Sequence, residues 1–103
     1  MYICMYSDVL IEFDEEKRTS NVLKHGIDFT DVEPVFADPR AFTNDRLVDT
    51  KLGPELRHLT TGMDSLGRVV TVIWTTRGST RRVISARASR KKEVAFYHPL
   101  SAT

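Results

Sequence analysis

Arg57, Arg77, Arg81, Arg82 and Arg87 fall on three successive stretches that read as β-strands and their turns. In residues 51–103 arginine outnumbers lysine seven to three. The planar guanidinium fork makes two parallel hydrogen bonds to a phosphate, where lysine offers a point charge. A cluster of such forks on one sheet is a means of holding a polyanion. The bland alternative is a solvated sheet edge guarded by charge. Along the last strand, alternation places Arg81, Val83, Ser85 and Arg87 on one face. Arg82, Ile84, Ala86 and Ala88 take the other, unless a bulge shifts the parity. Arg90-Lys91-Lys92 open a final helix, where the macrodipole favours acids. RNA phosphate or an acidic partner would account for them, as would a tolerated misfit.

Arginine binds phosphate but is a poor base, so catalysis needs other groups nearby. Glu55 lies two residues before Arg57, on its face of the strand, and is a candidate base. His25, in Lys24-His25-Gly26, ends the first helix, where it can cap carbonyls or donate to phosphate. Histidine suits proton transfer near neutral pH, which makes His58 a candidate acid or base. Alternation nevertheless sets His58 opposite Arg57, and His98 reads as incidental. Glu93 and Tyr97 stand at i and i+4 on the last helix as further proton-transfer groups, although Tyr97 also suits a core. There is no HExxH, no CxxC and no glycine-rich phosphate loop, so neither metal nor cofactor is expected. Were the polyanion RNA, the chemistry would be attack by the 2′-hydroxyl on its own phosphate. One side chain would take the proton, arginines would stabilise the phosphorane, and another group would protonate the leaving 5′-oxygen.

These residues must be carried by ordered elements. Val9-Leu10-Ile11-Glu12-Phe13 reads as a strand. Asp14 caps a helix over Glu15–Lys24, Gly26 stops it, and Val22 and Leu23 are its expected core contacts. Thr30-Asp31-Val32-Glu33 fits a capping box for a short helix through Phe36, ended by Asp38-Pro39. Ala41–Thr43 is a short strand, and polar Asn44–Pro54 reads as a loop. Strands follow over Glu55–Gly62, Arg68–Thr76 and Arg81–Ala88. Their short turns demand antiparallel pairing, and the two-sided apolar pattern of the second marks it as central. Ser89 caps a last helix from Arg90 to about Tyr97, with Val94 and either Phe96 or Tyr97 inward. The class is α+β: a three- or four-stranded antiparallel sheet with helices on one face and the other partly open.

A chain of 103 residues has room for one domain and one core. Its formal net charge is +1, which taken whole argues against a strongly basic nucleic-acid binder. The two halves differ: residues 1–50 carry 5 basic and 11 acidic side chains, net −6, and residues 51–103 carry 10 and 3, net +7. Such asymmetry suggests a polyanionic partner for the second half. No apolar run approaches the roughly eighteen residues of a membrane span. Cys4 is the one cysteine, so a reducing cytoplasm is the expected location. Residues 1–10 lack the features of a signal peptide and are expected as an N-terminal extension, with Met5 an alternative start. The domain is expected over residues 11–98 and a tail over 99–103.

Glu12-Phe13-Asp14-Glu15, Lys17, Asn21, Lys24-His25-Gly26-Ile27, Phe29, Val35-Phe36 and Asp38-Pro39 form an ordered set. It continues through Glu55-x-Arg57, Gly62, Gly67-Arg68, Thr75-Thr76-Arg77, Arg82-Val83-Ile84-Ser85-Ala86-Arg87-Ala88, Arg90, Glu93 and Tyr97. This set, spanning residues 11–97, resembles the BrnT toxins. The resemblance implies a RelE-like fold: an N-terminal strand and two helices, then a twisted antiparallel sheet and a C-terminal helix. It implies a type II toxin: a metal-independent endoribonuclease that inhibits translation. Its partner would be a cognate antitoxin with a ribbon-helix-helix-type DNA-binding domain. Operator DNA would be contacted only through that complex, and no membrane is involved. His58 stands where the family usually carries an aromatic or aliphatic residue, and the general base stays open. Together the readings give Arg57, Arg77, Arg82, Arg87, Glu55 and His25 as catalytic candidates. Lys24, Arg81, Arg90 and Lys91 are the RNA-binding candidates. The alternatives are a non-catalytic nucleic-acid-binding or regulatory module of the same fold, or a partner for an acidic protein. A proton-transfer group close to the arginines separates the first reading from these.

Overall fold

Val70, Val72 and Trp74 alternate with Thr71, Ile73 and Thr75, so both faces of this stretch carry bulk and the strand belongs inside a sheet. The computed structural model describes residues 2–6 and 9–98, and it places that strand centrally. In chain order the elements are β1 (Tyr2–Tyr6), β2 (Val9–Phe13), α1 (Glu15–His25), a 3₁₀ turn (Phe29–Asp31) and α2 (Glu33–Ala37). Then come β3 (Phe42–Thr50), β4 (Gly53–Met63), β5 (Val69–Arg77), β6 (Thr80–Ala88) and α3 (Lys91–Tyr97). The sheet order is β1-β2-β6-β5-β4-β3.

The expectation of an all-antiparallel sheet of three or four strands is corrected. The chain leaves β2 through helices and returns by the β3–β6 meander, so β6 runs parallel to β2, with Ile11 opposite Arg81 and Glu12 opposite Arg82. The expected loop at 44–54 is also corrected. It forms most of β3, paired with β4 from Phe42–Thr61 to Thr50–Gly53. As an edge strand wet on both sides, β3 has no need of apolar alternation; backbone pairing holds it. Residues 2–6, within the expected extension, pair as β1 with β2; residues 99–103 lie outside the described residues. The capping box at Thr30 does not form, because Asp28 accepts from the Thr30 N–H at 3.0 Å and caps the 3₁₀ turn instead. At α3 the cap position is Arg90, not Ser89, whose hydroxyl bonds the Thr71 hydroxyl at 3.0 Å.

One sheet face carries the core: Ile11, Phe13, Val70, Val72, Trp74, Val83 and Ala86 pack against Phe29, Val32 and Val35. Gly62 lets α2 approach β4, since a Cβ there would meet Val35 Cγ1 at 3.0 Å and the Val35 carbonyl oxygen at 3.2 Å. The helices were expected on one face, yet α3 lies on the opposite one. There Phe96 meets Phe42 with ring centroids 4.7 Å apart, and Glu93 grips Arg87. Tyr97 is the inward aromatic, and its hydroxyl donates to Asp38.

Helix α1 departs furthest from its expected packing. Val22 and Leu23 are 41% and 83% exposed, while Asn21 is buried. The reason is the sheet edge. The β2–β6 pairing stops at Glu12–Arg82, so β6 backbone groups beyond it face no strand. Asn21 Nδ2 donates to the Ala86 and Ile27 carbonyls, each at 2.8 Å, and Asn21 Oδ1 accepts from the Ala86 N–H at 3.1 Å. One amide side chain stands in for a missing strand peptide. Arg18 anchors the same helix by a fork onto Asp28, at 2.8 and 3.1 Å, and that guanidinium holds the Asp28 carboxyl down at about 2.

Candidate functional site

Trp74 pairs with Val83 and Ile73 with Ser85, which leaves Ile84 as an extra residue in β6. This bulge changes the face assignment. Arg81 and Val83 share the core face with Ala86, whereas Arg82, Ser85 and Arg87 point the other way. The simple alternation, which paired Arg81 with Arg87 and separated both from Arg82, is thereby corrected. Arg82 lies opposite Thr75 on one side and Glu12 on the other. Carrying the β4–β5 register on from His58–Trp74 sets Arg57 beside Thr75, and Arg57 lies opposite Arg46. A row thus crosses the sheet: Arg46, Arg57, Thr75, Arg82, Glu12. At about 4.8 Å per strand, Arg57 and Arg82 stand about 10 Å apart at Cα, within reach of one phosphate. Arg46 was missed because its segment was read as a loop; only the paired strand brings it to the row.

Three of these arginines each hold a glutamate. Arg57 Nε meets Glu55 Oε2 at 3.0 Å, Arg82 meets Glu12 at 3.8 Å, and Arg87 forks onto Glu93 at 2.7 and 3.0 Å. Side-chain exposure separates their carboxylates: Glu55 is 29% exposed, Glu93 18% and Glu12 12%. Of the three, Glu55 is therefore the most open to a substrate. Glu93 also accepts from the Arg90 N–H at 2.7 Å, supplying the acid that the start of α3 lacked. The Arg87 guanidinium holds the Glu93 carboxyl down at about 2. Because the folded value is depressed, this stabilisation is whole above the ordinary carboxylate range and fades as pH falls towards 2. The linkage is on the order of 2–3 kcal/mol. The stability gap between the chain and its Glu93→Gln variant, read from urea unfolding, is expected to shrink steadily from pH 6 to pH 2. A gap independent of pH would contradict the assignment.

The remaining candidates divide. Arg77 is exposed at the end of β5, opposite Thr80. Arg81 leaves the row: its guanidinium sits 5.0 Å from the Phe36 ring centroid and 5.1 Å from that of Trp74 on the core face, a cation–π contact. Lys24 and His25, with Lys17, Ser20, Asn21, Ile84 and Ser85, line a cleft of about 350 Å³. Ser85 lies between Arg82 and Arg87 on the arginine face, so this cleft opens beside it. Arg90 and Lys91 are exposed where α3 begins. His58 stacks on Trp74 at 4.4 Å and meets Asp45 through Nδ1 at 2.6 Å, on the face opposite Arg57 as alternation required. Burial and the Asp38 carboxylate push the Tyr97 phenol up to about 12, which suits an anchor rather than a proton donor. Among the described residues no three His, Cys, Asp or Glu side chains gather as a metal site, and no helix is long and apolar enough to cross a membrane.

A mixed sheet packed on one face by the 3₁₀ turn and α2, with α3 and an arginine–glutamate row on the other, defines a small α+β protein with guanidinium forks gathered on one sheet face. The family described as "Ribonuclease toxin, BrnT, of type II toxin-antitoxin system" matches residues 13–93, and the chain belongs to that family. The fold agrees with the crystal structure of the Brucella abortus ribonuclease toxin BrnT, solved at 1.1 Å. The TM-score is 0.56 at 30% identity, covering 79% of this chain and 96% of that one. No curated protein matches the chain significantly. Membership of a type II ribonuclease-toxin family implies an RNA substrate and an antitoxin partner.

Proposed function

We propose that the arginine face is a metal-independent endoribonuclease site. The observation that carries this reading is the row itself: Arg57 and Arg82 share a face, and the open carboxylate of Glu55 is in contact with Arg57. Glu55 takes the proton of the 2′-hydroxyl, whose oxygen attacks the adjacent phosphorus. Arg57 and Arg82, aided by Arg77 and Arg46, stabilise the phosphorane charge. The bond to the 5′-oxygen breaks, that oxygen takes a proton from water, and the products are a 2′,3′-cyclic phosphate and a 5′-hydroxyl, while His25, in the cleft beside Ser85, binds a flanking phosphate. Lys24, Arg87, Arg90 and Lys91 hold flanking phosphates. Arg81, engaged with Phe36 and Trp74, contributes only to the packing beneath.

In this reading the cut RNA stops translation in the cytoplasm, and the fold is a RelE-like domain centred on residues 11–98. An antitoxin carrying a ribbon-helix-helix-type domain covers the basic face and brings the complex to operator DNA. Family membership supports the partner, and the +7 half of the chain supports an acidic complement to it. Purified protein is expected to cleave single-stranded RNA in EDTA, leaving cyclic-phosphate ends. Activity lost to the chelator and restored by magnesium would overturn the metal-free step. Glu55→Gln is expected to slow cleavage by about 10²–10⁴-fold with RNA binding retained. RNA binding without cleavage by the unmodified chain would favour the regulatory module instead.

A further inference from the structure

Phe96 is 68% exposed on α3, although its neighbour Tyr97 is buried. Its ring meets Phe42 of β3 edge-on, at 61°. With Thr43, Asn44, Lys92 and Glu93, these rings line a largely apolar cleft of about 330 Å³. That is the low end of the range for small-ligand sites, room for one flat ring system rather than a chain. Glu93 belongs to two places at once: it lines this cleft and it holds the Arg87 guanidinium. The cleft therefore continues the arginine face at the Arg87 end.

We infer that this cleft receives one unpaired base of the RNA, flanking the cleaved bond and stacked on Phe96. The inference deepens the proposed ribonuclease site and rests on it. Single-stranded RNA is recognised by splaying bases onto aromatic rings and reading their edges with hydrogen-bonding side chains. Phe96 supplies the ring. The Asn44 amide offers a donor and an acceptor to a base edge. Thr43 is less free, because its hydroxyl shares a 2.9 Å hydrogen bond with that of Thr60. Lys92 supplies a cation for the phosphate of that nucleotide. What sets Phe96 apart from other exposed apolar side chains such as Leu23 is that its ring meets Phe42 across a cleft continuous with the arginine face.

The test uses the whole chain and short oligoribonucleotides built around a mapped cleavage bond, with an abasic ribose placed in turn at each flanking position. At one position the abasic substitution is expected to lower kcat/KM about ten-fold or more. Phe96→Ala is expected to cause the same loss on the intact RNA, with no further loss on the abasic one, and Phe96→Trp to restore it. Asn44→Ala is expected to change which base is preferred in the mapped ends. The inference is overturned if Phe96→Ala cleaves as fast as the unmodified chain with the same end preference. It is equally overturned if Phe96→Ala slows intact and abasic RNA alike, or if it abolishes only neutralisation by the antitoxin. Arg82→Gln made together with Glu12→Gln, which leaves no stranded carboxylate, keeps the two ideas apart. If it impairs cleavage while Phe96→Ala does not, this inference alone fails; if it has no effect, the underlying site fails.

Discussion

Arg82→Gln, made together with Glu12→Gln, is expected to slow RNA cleavage by about 10²–10³-fold while the fold stays intact, the cost typical of losing one preorganised donor to a developing anion. The paired change is deliberate. Arg82 and Glu12 are 14% and 12% exposed and lie 3.8 Å apart. Removing the arginine alone would strand a carboxylate in a largely dry place, and lost stability would be mistaken for lost chemistry. With both neutralised, the packing volume and the net charge are nearly kept, and the missing fork is what remains to be measured. Glu12→Gln by itself is expected to retain most activity, because the amide oxygen can still accept from Arg82 and Glu12 is the less accessible carboxylate. Initial rates on a defined RNA in EDTA, with melting curves for each variant, provide the check. A double variant that cleaves within ten-fold of the unmodified chain would remove the row from the active site.

Asn21→Leu is expected to destabilise the chain by about 3–5 kcal/mol, a large part of what a domain of this size possesses. Leucine keeps the bulk and adds apolar surface at a buried position, so a simple hydrophobic account predicts little harm. The hydrogen-bond account predicts otherwise. The Ala86 N–H and carbonyl at the sheet edge, and the Ile27 carbonyl just after α1, each lose a partner. The Ser85 hydroxyl loses its 3.2 Å contact as well, which loosens α1 and with it Lys24 and His25 beside the arginine face. The expected signature is a fall in the urea midpoint with little change in slope. A variant within 1 kcal/mol of the parent, by the same measurement, would show that the edge is satisfied some other way.

Much of this molecule was legible in one dimension. The Asp14 cap, the left-handed Gly26 stop with φ 70°, and the cores of β4, β5 and β6 follow from local chemistry and appear where that chemistry puts them. The charge split pointed to the basic half, and the order of short motifs identified the family that the comparisons support. The opposition of Arg57 and His58 needed only a period of two and holds.

Grouping was not legible. Whether Arg82 shares a face with Arg87 depends on one extra residue, Ile84, and a bulge is a property of two strands in register. Arg46 enters the row only because a polar edge strand pairs with β4, and such a strand has no hydrophobic pattern to announce it. Asn21 is buried rather than Leu23 because β2 ends early against β6, which no window of α1 can reveal. The sequence by itself determined α1 with its Asp14 and Gly26 caps, the cores of β4, β5 and β6, and the stock of arginines and carboxylates, since these follow from neighbours along the chain. The tertiary structure alone decided which of them meet, since parity, edge satisfaction and ion pairing are settled between segments far apart in sequence.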